Sequence, residues 1–294
     1  MELTEKFDRS VSMLAWGYNE EELVEEFLDR AFALLEDTVK DYELVFVNDA
    51  STDRTGQILA DYAQKEPRLR VITHETNLNV GFACRTAVAS AQKEFLCWQT
   101  VDWSYDLTYL RIYLELLKYF DVVQGIRPAP ERLLSHIPVI RSIYRIKSRS
   151  DTLRKAVISL SNYYLLRLLY GVDFHDFQNV TFYPTTMAQA VTLLGESSFV
   201  NPELLIKVHA LGARFLEVPI GFIPRQKGEA KGTKWKTVVR SVRDVFGNWV
   251  KWGFKLRLDR RRLHRPDQIF RVSQPVYLDE EVLHLIVPLF KCYR

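Results

Sequence analysis

The feature that most constrains the fold is a unit that recurs four times before residue 120. An apolar run of strand length ends in a short cluster rich in Asp and Asn, and a stretch with helical periodicity follows. Val11–Trp16 runs into Tyr18-Asn19-Glu20, and Tyr42–Val47 runs into Asn48-Asp49-Ala50-Ser51-Thr52-Asp53. Leu69–Thr73 leads to Asn77-Leu78-Asn79-Val80-Gly81, and Phe95–Trp98 leads to Gln99-Thr100-Val101-Asp102. Between these runs, Leu23, Val24, Phe27, Leu28, Ala31, Leu34 and Leu35 recur at helical spacing, as do Ile58, Leu59 and Tyr62. Further helices are predicted over 82–92 and 107–119, with a strand at 121–124. Strands alternating with helices predict an α/β fold with a mostly parallel, doubly wound sheet. Parallel strands carry their carboxyl ends to one rim, so the four polar clusters converge there. Open α/β sheets bind ligands outside those ends. An acid such as Asp102 is then either a ligand contact or a turn and cap residue. Asp49 and Asp53 carry the same pair of readings, the second as an Asx turn.

The chain has 294 residues, 47% of them apolar, enough for one large domain with a sizeable core. A net charge of +3 excludes a polycation of the nucleic-acid-binding kind, although the C-terminal half is distinctly basic. No nucleic acid is expected as a partner. Cys84, Cys97 and Cys292 are too few and too scattered for a disulfide framework or a zinc site, and fit a reducing, cytoplasmic location. The first residues lack the pattern of a signal peptide, and no apolar run approaches the roughly 18 residues of a spanning helix. The expectation is a protein that is soluble or sits on a membrane surface.

After Arg127, Pro128-Ala129-Pro130 breaks the chain. Residues 131–170 then interleave basic side chains with Leu133, Ile137, Ile140, Ile143 and others. Two readings stand level: ordinary surface helices with a core-facing stripe, or a pair of helices lying on a membrane. Val172–Tyr183 holds Asp173, His175, Asp176, Gln178 and Asn179, then a strand. A short helix opens at Pro184, another runs over 202–211, and 214–223 is strand-like. A basic loop, Pro224 to Gly232, precedes a helix over 234–254. Arg257, Arg260, Arg261, Arg262 and Arg265 follow.

Several chemistries are excluded by their missing motifs. No Gly-x-Gly-x-x-Gly follows the first strand, and no Gly-x-x-x-x-Gly-Lys-Ser/Thr loop occurs. There is no zinc-spaced His pair and no Gly-x-Ser-x-Gly elbow. What remains is an acidic rim and a late basic loop. Carboxylates can hold a ribose, a base edge or a divalent metal, and Arg and Lys can neutralise a departing diphosphate.

The motifs resemble family 2 glycosyltransferases of the GT-A fold, most closely polyprenyl-phosphate glycosyltransferases of the dolichol-phosphate mannose synthase type. Ala15 to Glu21 is similar to their Pro-x-Tyr-Asn-Glu opening, and Asn48 to Thr55 to Asp-Asp-Gly-Ser-x-Asp-x-Thr. Asn79-Val80-Gly81 matches Asn-x-Gly, Thr100-Val101-Asp102 falls on Asp-x-Asp, and Asp176-Phe177-Gln178 on Asp-x-Gln. Pro202-Glu203, Glu217-Val218-Pro219 and Arg225 through Lys231 match the closing segments. The resemblance spans about residues 9–254. It departs at Trp16 (Pro in the family), Asn48 (Asp), Arg85 (a small residue), Thr100 (Asp) and Ser104 (Gln).

The resemblance implies a GT-A fold over residues 1–254, with 131–170 as an acceptor- or membrane-facing insertion and 255–294 as a basic extension. It implies an inverting transferase that uses a nucleotide-diphosphate sugar. Asp49, with Tyr18, Asn19 and Glu20, would hold the donor's nucleoside, and Asn79 and Gly81 would also bind the donor. Arg225, Lys227 and Lys231 would neutralise the diphosphate, and Asp102 would hold a divalent cation, Mg2+ or Mn2+, with Thr100 in place of the other carboxylate. Arg127, Gln178 and Glu203 would contact the acceptor, with Lys155 and Ser159 as looser correspondents of a further Arg-x-x-x-Ser pair. The implied acceptor is a polyprenyl phosphate, which is already anionic and needs no base. A saccharide hydroxyl, with Asp176 or Glu203 as base, is the alternative, and a sugar-nucleotide binder without turnover is another. Peripheral attachment to an anionic inner membrane face is expected from 131–170 and the Arg cluster 257–265.

Overall fold

The computed structural model describes residues 5–127, 153–223, 235–263, 268–272 and 280–289. Arg225, Lys227 and Lys231 lie outside the described residues, as does most of the 131–170 stretch. The side chains of Lys155 and Ser159 lie outside them too.

The chain opens with β1 (Phe7–Gly17), α1 (Val24–Thr38), β2 (Val39–Asn48), α2 (Thr55–Lys65), β3 (Leu69–Thr73), α3 (Asn79–Ser90) and β4 (Phe95–Trp98). These strands pair in parallel, with β1 between β2 and β4 and with β3 outside β2. Their ends are level, since Gly17 pairs with Asn48 and Asn48 with Thr73. Side chains alternate between two cores, as a strand's period of two demands. Met13, Ala15, Leu44 and Phe46 face a cluster under α1, whereas Leu14, Val45 and Val47 face one under α3. Burial on both faces explains why these strands read as continuous apolar runs.

The second half holds α4 (Leu110–Glu115), β5 (Val122–Ile126), α5 (Leu153–Tyr170), β6 (Thr181–Pro184), α6 (Thr185–Ala190), α7 (Val200–Ala210) and β7 (Phe215–Pro219). Then come α8 (Trp235–Asn248), a π turn (Trp249–Gly253), α9 (Phe254–Leu263), β8 (Ile269–Arg271) and α10 (Glu280–Ile286). Among the described residues the sheet has eight strands in the order β3-β2-β1-β4-β6-β5-β7-β8. β6 runs antiparallel to both neighbours, and the other pairings are parallel. The expected mostly parallel α/β sheet is therefore present, cut once by a reversed strand.

One local expectation differs. The helix predicted over 107–119 starts at Leu110 and ends in a 3-10 turn, Leu116–Lys118. β8 was not anticipated, because three residues carry no period. Residue 254 lies on a continuous helical path, and residues 269–271 pair with β7.

Candidate active site

Four non-glycine residues among those described have a left-handed backbone: Asn19 (φ 53), Ala50 (φ 58), Asn79 (φ 74) and Trp103 (φ 53). They fall in the loops after β1, β2, β3 and β4, one in each. Such residues cost on the order of 1–3 kcal/mol and persist where the surroundings over-determine them. Trp103 is the least expected, because a bulky side chain disfavours that region. It is held by packing, with Phe27 at 5.9 Å between centroids and the Arg30 guanidinium 4.3 Å over its ring.

The first two loops are laced together. Ser51 Oγ accepts from the Asn19 N–H at 3.0 Å, and Asn19 Oδ1 accepts from the Thr52 N–H at 2.8 Å. The Glu20 N–H donates to Thr55 Oγ1 at 2.8 Å, and the Glu21 N–H to Asp53 Oδ2 at 3.2 Å. Asp53 also accepts from the Thr55 N–H at 2.9 Å. Burial opposes its charge, but the Thr55 hydroxyl and the two backbone donors outweigh that and hold its carboxyl below the usual value.

Asp49 is buried and ties the second loop to the third. Its Oδ1 accepts from the Leu78 N–H at 2.9 Å and lies 2.7 Å from His74 Nδ1, and its Oδ2 accepts from the Asn79 N–H at 2.8 Å. These bonds occupy much of the carboxylate that the sequence resemblance assigns to the donor's nucleoside. Asn79 Oδ1 accepts from Arg240 Nη1 at 2.6 Å, which links the rim to α8. Gly81 is explained by close approach. A Cβ there would stand 2.3 Å from the Glu196 carbonyl carbon and 2.6 Å from the Gly195 oxygen. The close approach of α3 to residues 195–196 requires a glycine here.

Asp102 sits half-buried on the turn after β4, where the Trp103 N–H donates to the Thr100 carbonyl at 2.9 Å. Ser104 Oγ donates to Asp102 Oδ1 at 2.6 Å, and the Ser104 N–H donates to Thr100 Oγ1 at 2.9 Å. Thr100 thus closes the turn with its hydroxyl. Buried Gln99 braces the turn from below, donating to the Tyr105 carbonyl at 2.8 Å. The chain that leads into the basic loop is fastened here. The Ile223 N–H donates to the Ser104 carbonyl at 2.8 Å, and the Asp106 N–H to the Gly221 carbonyl at 3.0 Å. Asp106 caps its own turn by accepting from the Thr108 hydroxyl at 2.6 Å.

The residues expected to meet the acceptor are largely sealed in. Asp176 is 1% exposed and forms a two-pronged pair with Arg127, Nε to Oδ2 at 2.7 Å and Nη2 to Oδ1 at 2.8 Å. It also accepts from the N–H groups of Phe177 and Gln178. Burial works against the Arg127 charge, but Asp176 more than offsets it and raises the guanidinium above its usual value. Gln178 donates weakly to the Ser198 carbonyl at 3.4 Å, and its own carbonyl accepts from the Tyr105 hydroxyl at 2.7 Å. Burial pushes that phenol upward, so it stays a donor. Glu203 is fully buried and accepts from the Leu194 and Gly195 N–H groups and from Lys207 at 2.6 Å. A base needs a free lone pair within reach of its proton. Asp176 and Glu203 are instead committed to internal partners.

Sequence reasoning missed three braces: His74 on Asp49, Arg240 on Asn79, and Asp244. The Asp244 carboxylate accepts from the N–H groups of Glu196 and Ser197 and from the Ser197 hydroxyl. Only His74, at a strand end, carried a signal. The others reach across 161 and 48 positions.

A strained, laced rim thus lies at the carboxyl ends of the parallel strands, and comparison with known proteins gives the chain a family. The model of glycosyl transferase family 2 matches residues 17–170, and the chain belongs to that family. Its fold is the GT-A fold. An uncharacterized glycosyltransferase, EpsJ, of Bacillus subtilis is 37% identical over 86 residues, covering 29% of this chain and 24% of the relative. A dolichyl-phosphate beta-glucosyltransferase of Mus musculus is 27% identical over 173 residues, covering 56% of this chain and 48% of the relative. The chain therefore matches between about a quarter and a half of the length of these relatives. In fold it is similar to a mannosyltransferase, PcManGT, from Pyrobaculum calidifontis, solved with GDP-Man and Mn2+. The TM-score is 0.54 at 14% identity, over 98% of this chain and 83% of that one.

Proposed function

We propose that the protein is an inverting glycosyltransferase that moves a sugar from a nucleotide-diphosphate donor to a polyprenyl phosphate. The observation that carries the reading is the Asp102 turn, a half-exposed carboxylate on a strained loop with the stem of the basic loop hydrogen-bonded beside it. The laced loops after β1, β2 and β3 would seat the nucleoside. Arg225, Lys227 and Lys231 would meet the diphosphate, next to the stem that ends at Ile223.

In the transfer, a phosphate oxygen of the acceptor attacks C1 of the sugar opposite the departing group. The C1–O bond to the nucleoside diphosphate breaks, and the anomeric configuration inverts. The nucleophile is already anionic, so no protein base takes a proton. The buried, committed state of Asp176 and Glu203 agrees with that and disfavours a hydroxyl acceptor. The dolichyl-phosphate relative supports the same acceptor class.

Among the described residues no group of three or more His, Cys, Asp or Glu gathers as a metal cage. One carboxylate plus substrate phosphates is nevertheless a common way to hold Mg2+, and Asp102 fits it. A divalent cation bound there would supply positive charge to the diphosphate as it leaves.

The test is transfer from radiolabelled nucleotide sugars to a polyprenyl phosphate. Label in an organic-extractable, mild-acid-labile product is expected. Label appearing only in an acid-stable glycoside would decide for a hydroxyl acceptor.

A further inference from the structure

The helical path through α8, the π turn and α9 carries an apolar stripe on the outside of the molecule. Val239, Val242, Phe246, Val250, Phe254 and Leu258 are exposed, Val250 to 73%. They follow one another every three or four residues, the spacing of one helix face. A repeat of four would drift around an unbroken α-helix, whose turn takes 3.6 residues. The π turn at Trp249–Gly253 takes more residues per revolution, so it swings Phe254 and Leu258 back toward the face of Val239 and Phe246. Deviation from α-helical geometry here keeps the stripe straight.

The other exposed side chains beside the stripe are cations: Arg240, Arg243, Lys251 and Lys255. From Thr237 to Leu258 the only acid is Asp244, and it is turned inward onto Glu196 and Ser197. Asp259 lies just beyond the stripe. A helix outside a water-soluble core normally shows a polar outer face. An apolar face flanked by Lys and Arg suits a bilayer interface with anionic lipid. A second copy of this chain suits it poorly, because a two-fold contact would set the same four cations against themselves. No helix among the described residues is long and apolar enough to cross a membrane.

We propose that the outer face of residues 239–258 docks on an anionic lipid bilayer, with the helix lying in the plane of the headgroups. This surface shares α9 with the Arg cluster 257–265 read from the sequence, and it rests on α5 of the 131–170 stretch through Trp249 and Arg257, which donate to the Leu169 carbonyl. Its use rests on the lipid-acceptor reading, but its existence does not. Arg240 on Asn79 and Asp244 on residues 196–197 join the docking helix to the rim, so docking would fix how the rim meets the membrane.

The experiment is sedimentation with vesicles of phosphatidylcholine alone or mixed with phosphatidylglycerol. Wild type is expected to pellet with the mixed vesicles. The double variant Val250→Asp/Phe254→Asp should bind at least about tenfold more weakly, since burying each apolar side chain contributes more than a kcal/mol. Its unfolding midpoint should move little, because Val250 is exposed and Phe254 gives up only an edge-on contact with the Trp249 ring. Its transfer to a short-chain polyprenyl phosphate dispersed in detergent should also match wild type. Wild type left in the supernatant, a variant that pellets equally, or a dimer in solution that the variant dissolves would each overturn the proposal. Loss of transfer to the short-chain acceptor would overturn it too, by placing the face inside the site. A wild type that binds vesicles yet labels no polyprenyl phosphate would retire the proposed acceptor and leave the docking face standing.

Discussion

On the β1–β4 side of the rim, polar side chains cross from loop to loop and hold the backbone in left-handed turns. Asn19, Asp49 and Asp53 all work this way, and Asp102 is left half-exposed above them. On the β5–β7 side the polar motif residues are sealed beneath the surface. Arg127 is locked to Asp176, Glu203 to Lys207 and two backbone N–H groups, and Glu217 to His175 and Arg271. Both sides carry charged residues in motif positions. One side uses them to shape a surface, the other to hold segments together. A residue's type and spacing place it at the site but do not say whether it faces the substrate.

The comparison breaks if Asp176 acts on the acceptor. Asp176→Asn should cost about 3–5 kcal/mol of stability, the scale of leaving one charge of a buried pair unmatched. Denaturant unfolding measures this. Preserved stability with collapsed turnover would move Asp176 to the catalytic side.

Asp102→Asn should do the reverse. A hundred- to thousandfold loss of turnover, about 2.7–4 kcal/mol, is the scale of one transition-state stabiliser. The unfolding midpoint should hold, because the amide oxygen of Asn can still accept from the Ser104 hydroxyl. Near-normal turnover would remove Asp102 from the chemistry.

Gly81→Ala sharpens the comparison at the seam between the two sides. The added methyl meets the Glu196 backbone, which cannot swing away as a flexible side chain would. A cost of about 1–3 kcal/mol in thermal unfolding is expected, as for overpacked sites. An unchanged midpoint would mean that α3 and residues 195–196 are not in tight contact.

The smallest effect is expected away from the rim. Burial opposes the charge on Glu43, but Arg70, Ser12 and the Gln92 N–H outweigh it and lower its carboxyl below the usual value. Its contribution is therefore complete above the unfolded carboxyl's titration and is lost as pH falls through the folded value. Glu43→Gln should flatten the acid limb of stability against pH without touching turnover. An identical acid limb in the variant would show that Glu43 adds nothing to it.

Much of the first half was legible from sequence, because continuous apolar runs and i, i+3, i+4 spacing are local signals. Leu23 through Leu35 announced α1, and the polar clusters announced the rim. The reversed direction of β6 was not legible, since a four-residue strand reads the same either way. Nor was the inward turn of Asp176 and Glu203. Asp176 meets Arg127 across 49 positions, and Glu203, with Lys207 one turn away, is sealed by the Leu194 and Gly195 N–H groups that only the folded loop turns toward it. Thr100 shows the same limit from the other side. Its substitution for Asp signals a lost carboxylate, but only the folded turn reveals that its hydroxyl receives the Ser104 N–H.

The reversed β6 has a consequence for how the molecule comes apart. Residues 7–98 complete a four-stranded parallel sheet with short crossovers, and β5, β7 and β8 form a second parallel set. Among the described strands only β6 pairs with both sets, with two registered positions on each side, Phe95 to Pro184 and Leu96 to Tyr183, then Val123 to Phe182 and Gln124 to Thr181. Short pairings open at lower cost than long ones within a fold. Amide exchange should therefore run faster along β6 than between β1 and β2, which stay paired along their length.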